Sequence, residues 1–308
     1  MTPDPAPDQL EALRRRLLGI AYRMLGVVAD AEEVVQEAFL RWRQLDERPR
    51  SDEAWLVSVT TRLAIDRLRR AATEREAYEG QWLPEPVPLA PPEREAELAD
   101  DLSLAFLLVL ERLAPEERAA FLLREVFGAD YAEIGRTVGK SEAACRQMVH
   151  RAKERVRGGR RRFAVDPDAR ERVAHRFVEA LRAEDRDGVL ALLADDATLV
   201  ADGGGRMPAL GEVQQGAARI AQLLVGFERM GRVQLERRGR PPLEHEVGWL
   251  NGEPAVLTLV GGRLLFATVL HLDGERIAGL SRVLNPDKLA GLGRLTLLAP
   301  GQSIDDFL

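Results

Sequence analysis

The chain has few of the features that would stabilise it covalently or place it in a membrane. Its single cysteine, Cys145, excludes an internal disulfide framework and a zinc site built from several cysteines. No uninterrupted apolar run approaches the ~20 residues that a membrane-spanning helix needs, so we expect a soluble protein without a membrane partner. The first eight residues lack the basic and then apolar pattern of a secretory signal. We therefore expect a cytoplasmic protein.

Other common functional signals are also missing. The four histidines are scattered, so we predict no metal site. A complete phosphate-binding loop, Gly-x-x-x-x-Gly-Lys-Ser/Thr, is absent, because Ile134 stands where the Gly-Lys-Ser of 139–141 would need the first glycine. We expect no cofactor. Positive charge is not in excess either, because 44 Lys and Arg residues face 50 Asp and Glu residues. This balance argues against a protein that coats nucleic acid along its whole surface.

The positive charge that is present is concentrated in one stretch. Residues 136–162 contain ten basic and two acidic side chains. Such a cluster suits binding to a phosphate backbone, since each neutralised phosphate releases counterions. The alternative is a solvated basic helix end with no ligand.

Hydrophobic periodicity divides the chain into segments of different character. Helical spacing covers 10–72, five prolines interrupt it within 79–100, and helical spacing returns up to about 162. Beyond residue 167, two helical patterns precede a β-meander over 243–284, whose runs are separated by Asn-Gly, Gly-Gly and Asp-Gly turns. We predict a multidomain protein with these segments: an all-α domain (1–73), an acidic proline-rich linker (74–101), a second all-α domain (102–162), an α+β domain (168–285) and a C-terminal tail (286–308).

Residues 130–156 have the pattern of a helix-turn-helix. A short helix is followed by a turn at Gly139 and by a second helix that Ser141 can cap. An apolar stripe on the second helix consists of Cys145, Met148, Val149, Ala152 and Val156. Outside this stripe lie side chains that can contact base edges (Arg146, Gln147 and His150) and phosphates (Arg151 and Arg155). The alternative is an ordinary helical hairpin with a polar face.

Two earlier helices carry surfaces of a different kind. The first helix, residues 30–42, has an apolar stripe that consists of Ala31, Val35, Ala38, Phe39 and Trp42. Leu40 lies on the opposite side with Glu33, Gln36 and Glu37, which is typical of a docking surface for a partner helix. An isolated exposed leucine is also common on protein surfaces. On the second, Trp55, Arg62, Asp66 and Arg69 share one face, and its two cations suit an edge that faces DNA.

These motifs, in this order and spacing, resemble extracytoplasmic-function (ECF) sigma factors over residues 10–160. The resemblance implies binding to the β′ clamp helices and β flap of core RNA polymerase, and to the −10 and −35 promoter elements, as a monomer. It implies polymerase-binding residues Asp30, Glu33, Gln36, Glu37 and Leu40. It implies −10 contacts from the second helix (Arg62, Asp66, Arg69 and Arg70) and a base-binding loop with Arg48 and Arg50. Arg62 departs from the family, which commonly has Asn there.

The remaining chain resembles a SnoaL-like domain of the NTF2-like cone fold. Three short motifs are similar to those of the SigJ-like subgroup of ECF sigma factors, which carry this extension instead of a separate anti-sigma factor. The motifs are Trp82, Leu83, Pro84, Glu85 and Pro86; Asp202, Gly203, Gly204 and Gly205; and Asn285, Pro286, Asp287, Lys288 and Leu289. We predict that they meet at a regulatory interface between domains.

Two other functions have to be weighed against a sigma factor regulated in cis. An enzyme in the cone would need an inward acid or base such as Asp196, Asp202 or His271, and the sequence shows no pairing that requires one. We therefore predict no enzymatic activity. A one-component regulator with a ligand-sensing cone is the alternative, but it would not need the helices of the 30–70 region.

Overall fold

A computed structural model describes residues 7–89, 102–159 and 166–293. Contacts divide this part of the chain into two units. Within the described residues, the first unit comprises 7–77, 102 and 106–159, and the second comprises 78–89, 103–105 and 166–293. Within those ranges, each helix is too short or too polar to cross a membrane.

The first unit is all-α, as the periodicity predicts. Its helices are α1 (Pro7–Leu25), α2 (Val28–Arg43), α3 (Asp52–Glu76), α4 (Leu104–Leu110, which begins in the second unit), α5 (Pro115–Glu125), α6 (Tyr131–Val138) and α7 (Glu142–Gly159). Ser51 caps α3, because its hydroxyl accepts a hydrogen bond from the Ala54 N–H at 3.2 Å. Helix α3 continues to Glu76, beyond the point where the sequence pattern ended the first domain.

Helices α6 and α7 form the predicted helix-turn-helix. Gly139 ends α6 in the left-handed conformation, with φ of 71°, which a residue without a Cβ adopts at little cost. The Ser141 hydroxyl accepts from the Ala144 N–H at 3.3 Å and caps α7, as predicted. The predicted apolar stripe of α7 is buried throughout, and burial raises the pKa of the Cys145 thiol.

The second unit is α+β. Its elements are α8 (Pro167–Arg182), α9 (Arg186–Leu192), β1 (Leu193–Asp202), β2 (Gln214–Gln215), α10 (Ala217–Arg237), β3 (Leu243–Leu250), β4 (Glu253–Val260), β5 (Arg263–Asp273), β6 (Arg276–Val283), α11 (Pro286–Leu289) and a 3-10 turn (Ala290–Leu292). The predicted meander is present as four antiparallel strands, β3 to β6. Strand β1 pairs in parallel with β6, and the sheet order is β2-β1-β6-β5-β4-β3.

The core of this unit lies between one face of the sheet and helices α8, α9 and α10. One buried apolar cluster contains residues from both layers. The helices contribute Phe177 and Ile220, and the strands contribute Leu199, Val256 and Leu280. The strand registers shift within β1, between β4 and β5, and between β5 and β6. Such irregularities bend a sheet, and a bent sheet covered on one face by helices agrees with the α+β cone predicted for the C-terminal region.

Candidate functional site

The α2 surface, which we define as Glu33, Gln36, Glu37 and Leu40, faces solvent. The Leu40 side chain is 45% exposed, although most large apolar side chains of the described residues are buried. Glu37 accepts a hydrogen bond from Arg41 Nε at 2.7 Å, which leaves an exposed ion pair beside Leu40. An exposed apolar side chain with polar and acidic neighbours has the form of a small docking surface.

Asp30 has a different environment from the rest of the predicted polymerase-binding set. Its carboxylate is largely buried and accepts a hydrogen bond from Arg67 Nε on α3 at 3.0 Å. Arg67 is also bound to Glu74, and these hydrogen bonds outweigh burial and raise its pKa. Asp30 therefore joins α2 to α3, whereas the α2 surface remains available.

The predicted DNA-facing side of α3 packs against α5 and α6 within the first unit. Arg62 donates to the last carbonyls of α6, with Nη2 at 2.6 Å from Arg136 O and Nε at 3.2 Å from Thr137 O. The hydroxyls of Ser58 and Thr137 are 3.1 Å apart. A guanidinium at the end of a helix is stabilised by the negative end of the helix dipole. Arg62 is therefore bound to protein in this structure.

A second cation of α3 is also paired with the helix-turn-helix domain. Arg69 forms an ion pair with Glu116 at the start of α5 and a second one with Asp66, at 3.2 Å. The hydrogen bond from Arg69 lowers the pKa of Glu116, although burial opposes it. Arg70 is exposed and its Nε lies 3.4 Å from Asp66 O. Arg62 and Arg69, both predicted to contact the −10 element, are thus bound to carbonyl and carboxylate groups of the same unit.

The loop after α2 presents one anchored and one exposed arginine. The Arg48 guanidinium lies 3.9 Å from the Trp42 ring centroid, an arrangement that favours a cation over the ring face. Trp42 itself donates from Nε1 to Asp52 at 2.7 Å, which fixes the ring. Arg50 is exposed.

Helix α7 presents its predicted base-reading residues to solvent. Arg146, Gln147 and His150 are all exposed, and Arg146 forms an ion pair with Glu142 at 2.9 Å. The predicted phosphate-binding residues Arg151 and Arg155 both donate to Glu117, at 3.3 and 2.7 Å. The side chain of Arg157, and the whole of Arg160, Arg161 and Arg162, lie outside the described residues of this basic stretch.

The three short motifs of the SigJ-like resemblance lie together within the second unit. Asp202 at the end of β1 is completely buried. Its carboxylate accepts from the Tyr78 hydroxyl at 2.5 Å, from the Leu83 N–H at 2.8 Å and from Lys288 Nζ at 2.6 Å. Asn285 completes the group, which we call the Asp202 cluster, by donating from Nδ2 to the Tyr78 hydroxyl at 3.0 Å.

The Asp202 cluster holds the segment 78–89, which we call the docked segment, on the C-terminal domain. Lys288 also donates to Leu83 O at 2.6 Å, and its ammonium lies 4.4 Å from the Trp82 ring centroid. Leu83, Pro84 and Pro86 are buried. Further along, Asn251 binds both the N–H and the carbonyl of Val87, at 2.9 and 2.8 Å. Burial and the Asp202 charge raise the pKa of Tyr78, which therefore remains a hydrogen-bond donor at neutral pH.

The glycines after Asp202 allow the docked segment to approach closely. A Cβ at Gly204 would overlap the Asn285 amide and lie 3.0 Å from the Tyr78 hydroxyl, and one at Gly205 would lie 2.9 Å from the Glu79 carboxylate. Gly204 also has φ of 58°, a backbone conformation that residues other than glycine rarely adopt. The motif therefore requires glycine for steric reasons as well as for its turn.

We expect Gly204→Ala to destabilise the second unit by about 2 kcal/mol, because the new methyl group meets Asn285 and the backbone is in the left-handed region. Chemical denaturation would measure the change. Gly211→Ala is the matched control, since a Cβ there has no neighbour within 4 Å. Equal stabilities for the two variants would contradict this interpretation of the motif.

A second polar group lies on the face of the sheet that the helices do not cover, and sequence reasoning named His271 in it but not its partners. His271 binds Glu253 through Nδ1 and Ser281 through Nε2, both at 2.7 Å. This is the order of a nucleophile, base and acid, but Ser281 is 1% exposed and Glu253 also accepts from the Leu104 and Ala105 N–H groups. The group therefore satisfies the first N–H groups of α4. Within the described residues, no cluster of three His, Cys, Asp or Glu side chains could hold a metal ion.

Family models match both helical domains of the chain. The model of Sigma-70 region 2 matches residues 10–74, and that of Sigma-70, region 4 matches residues 103–156. The first range contains the α2 surface and α3, and the second contains the helix-turn-helix.

Relatives cover nearly the whole chain. It is 36% identical over 298 residues to the ECF RNA polymerase sigma factor SigJ of Mycobacterium tuberculosis, covering 92% of this chain and 93% of that protein. It is 32% identical over 291 residues to the probable ECF RNA polymerase sigma factor SigI of the same species, with 93% and 95% covered. The crystal structure of M. tuberculosis SigJ superposes with a TM-score of 0.74 at 32% identity, covering 94% of this chain and 100% of that one. The chain therefore belongs to the ECF RNA polymerase sigma factors and carries a C-terminal NTF2-like domain in addition to sigma regions 2 and 4.

Proposed function

We propose that this sigma factor binds core RNA polymerase through the α2 surface and that the docked segment allows its C-terminal domain to control promoter recognition in cis. The clamp helices of β′ are the proposed partner of the α2 surface, and the β flap is the proposed partner of the helix-turn-helix domain. One copy acts per polymerase, in the cytoplasm. The exposed Arg146, Gln147 and His150 on α7 support reading of the −35 element.

The observation that carries the regulatory part is the attachment of the docked segment. Residues 78–89 belong to the segment between region 2 and region 4, and they are fixed by the buried Asp202 carboxylate of the C-terminal domain. Both regions must take up defined positions on the promoter. A connection that is bound over residues 78–89 restricts those positions, because it removes conformations that a free tether would sample.

The packing of α3 supports a restrained state. Arg62 and Arg69 would face the −10 element, yet they are bound to α6 and to Glu116. Binding of the −10 element by this face requires these contacts to be exchanged for contacts with DNA. We propose that the free protein represents the restrained form and that engagement of polymerase and promoter separates α3 from α5 and α6.

Run-off transcription with purified bacterial core RNA polymerase tests the proposed function. The template is sheared DNA from the source organism, and the comparison is made with and without this protein. Discrete new transcripts are expected, and their 5′ ends would define the promoter elements. Failure to bind core polymerase would contradict the proposal and would favour a one-component regulator.

A single substitution tests the α2 surface. We expect Leu40→Ala to weaken binding to core polymerase roughly 10-fold, since truncating an apolar anchor at an interface costs more than ~1 kcal/mol. Met230→Ala on α10 is the matched control, because Met230 is 50% exposed and lies in the other unit. Fluorescence anisotropy with labelled protein would give both affinities. Equal losses for both variants would place the polymerase contact elsewhere.

A further inference from the structure

Arg282 is a buried cation on the helix-covered face of the cone. It shares this face of β6 with Leu280, which belongs to the core packed against α8 and α10. Its partner in the sheet register is Thr268 on β5, and that residue is in turn opposite the core residue Val256. Arg282 is 8% exposed. The guanidinium therefore lies inside the cone.

Arg282 forms no ion pair with the described residues. Its Nε donates to Thr268 Oγ1 at 3.2 Å, and its guanidinium carbon lies 4.6 Å from the Phe266 ring centroid. Among the described residues, no carboxylate comes within ion-pair distance of it. Desolvation lowers the pKa of Arg282 to about 10, and Glu228 opposes the shift from a distance. At neutral pH the group is still a cation, and buried cations are ordinarily paired.

The terminal nitrogens of Arg282 are not completely enclosed by protein. The fully enclosed, unpartnered side-chain atoms of the described residues belong to Thr60, Arg118 and Asp273, and Arg282 is not among them. Each unpartnered nitrogen of the guanidinium therefore retains some exposed area. A guanidinium presents two parallel N–H donors, which match the two oxygens of a carboxylate.

The surrounding side chains define the rest of the site. His245 on β3 binds Glu228 of α10 through Nε2 at 3.0 Å and Thr258 through Nδ1 at 3.1 Å. Thr258 is the register partner of Phe266, so this polar group and the aromatic ring are neighbours on the face that holds Arg282. Glu228 is already bound by His245 and does not neutralise the guanidinium. This face of the sheet thus carries a cation without an ion-pair partner among the described residues (Arg282) and an aromatic ring (Phe266). The nearby acid, Glu228, is already hydrogen-bonded to His245.

We infer that the cone of this sigma factor is a binding site for a small organic carboxylate, which pairs with Arg282 and packs its apolar body against Phe266. The inference does not depend on how the C-terminal domain acts on transcription, because binding can be measured on the full chain alone. Benzoate is a suitable probe, and benzamide is its neutral counterpart of the same shape. Inorganic phosphate tests whether charge alone is recognised.

The first measurement is the melting temperature of the full chain at constant ionic strength with each probe at ~10 mM. Benzoate is expected to raise it by about 3 °C, as a ligand with a Kd near or below ~1 mM would. Benzamide is expected to leave it unchanged. Equal shifts with benzamide, no shift with benzoate, or a phosphate shift as large as that of benzoate would overturn the proposed ligand class.

Two variants distinguish a binding residue from a structural one. Arg282→Gln is expected to abolish the benzoate shift, whereas Arg276→Gln keeps it, because Arg276 lies on the same strand with an exposed side chain. Without a ligand, Arg282→Met is expected to melt at or above the temperature of the parent chain, since it removes an unpaired buried charge. A lower melting temperature for Arg282→Met would show that Arg282 serves the fold, and a benzoate shift retained in Arg282→Gln would place the site elsewhere.

Discussion

Replacing Asp202 by alanine is expected to destabilise the second unit by about 3–5 kcal/mol, because it leaves the Lys288 ammonium buried without its carboxylate. The same change removes the acceptor of the Tyr78 hydroxyl and of the Leu83 N–H. Breaking one side of a buried pair costs more than the pair itself contributes, since the remaining charge keeps its desolvation penalty. Urea denaturation followed by tryptophan fluorescence would measure the loss.

Two controls separate this effect from a general loss of charge. Asp195→Ala removes an acid that is paired with Arg276 on the surface, at 3.4 Å, and should leave stability unchanged. The double variant Asp202→Ala, Lys288→Met should be more stable than Asp202→Ala alone, because no unpaired ammonium remains. A loss below ~1 kcal/mol for Asp202→Ala would show that the cluster is not a stabilising element.

A disulfide between α3 and α6 is expected to reduce promoter-dependent transcription at least ~10-fold, because the closed form could no longer open. The Ser58 and Thr137 hydroxyls are 3.1 Å apart, which places sulfur atoms at these positions within reach of each other. Two promoter elements separated by ~17 base pairs lie roughly 58 Å apart at ~3.4 Å per pair. Two small domains that are cross-linked through α3 and α6 cannot place α3 and the DNA-reading helix α7 that far apart. The variant is Ser58→Cys, Thr137→Cys in a Cys145→Ala background, so that one disulfide can form.

The comparison is made between the oxidised and reduced forms of the same preparation. Reduction should restore run-off transcription, and each single-cysteine variant should be active under both conditions. Binding to core polymerase through the α2 surface should survive oxidation, since Leu40 lies on α2, outside the cross-linked helices. Full transcription by completely oxidised protein would mean that α3 and α6 remain together during initiation.

The secondary structure was largely predictable because its signals are local. The turn at Gly139, the Ser141 cap and the buried stripe of α7 all follow from residues within a few positions of one another. The hairpins of the meander follow in the same way from their turn dipeptides. The parallel pairing of β1 with β6 has no such local signal, since about 80 residues separate the strands.

The site was predictable to different extents in its different parts. Helical spacing alone places Leu40 on an exposed face, and the structure agrees. Spacing does not reveal that Asp30 is bound to Arg67, or that Glu117 holds both Arg151 and Arg155, because these partners lie on other helices. Arg282 was missed for a related reason. A single cation within a strand does not by itself indicate which face of the sheet the helices cover.

The distance along the chain between the parts of the Asp202 cluster sets an order of events during synthesis. Tyr78 and Asn285 are 207 residues apart. At ~5–20 residues per second, a ribosome completes both sigma regions many seconds before Asn285 and Lys288 exist. Throughout that interval the docked segment has no complete surface to bind. Each newly made molecule therefore passes through a stage in which its sigma regions are joined by an unattached tether, and a product of premature termination remains in that stage permanently.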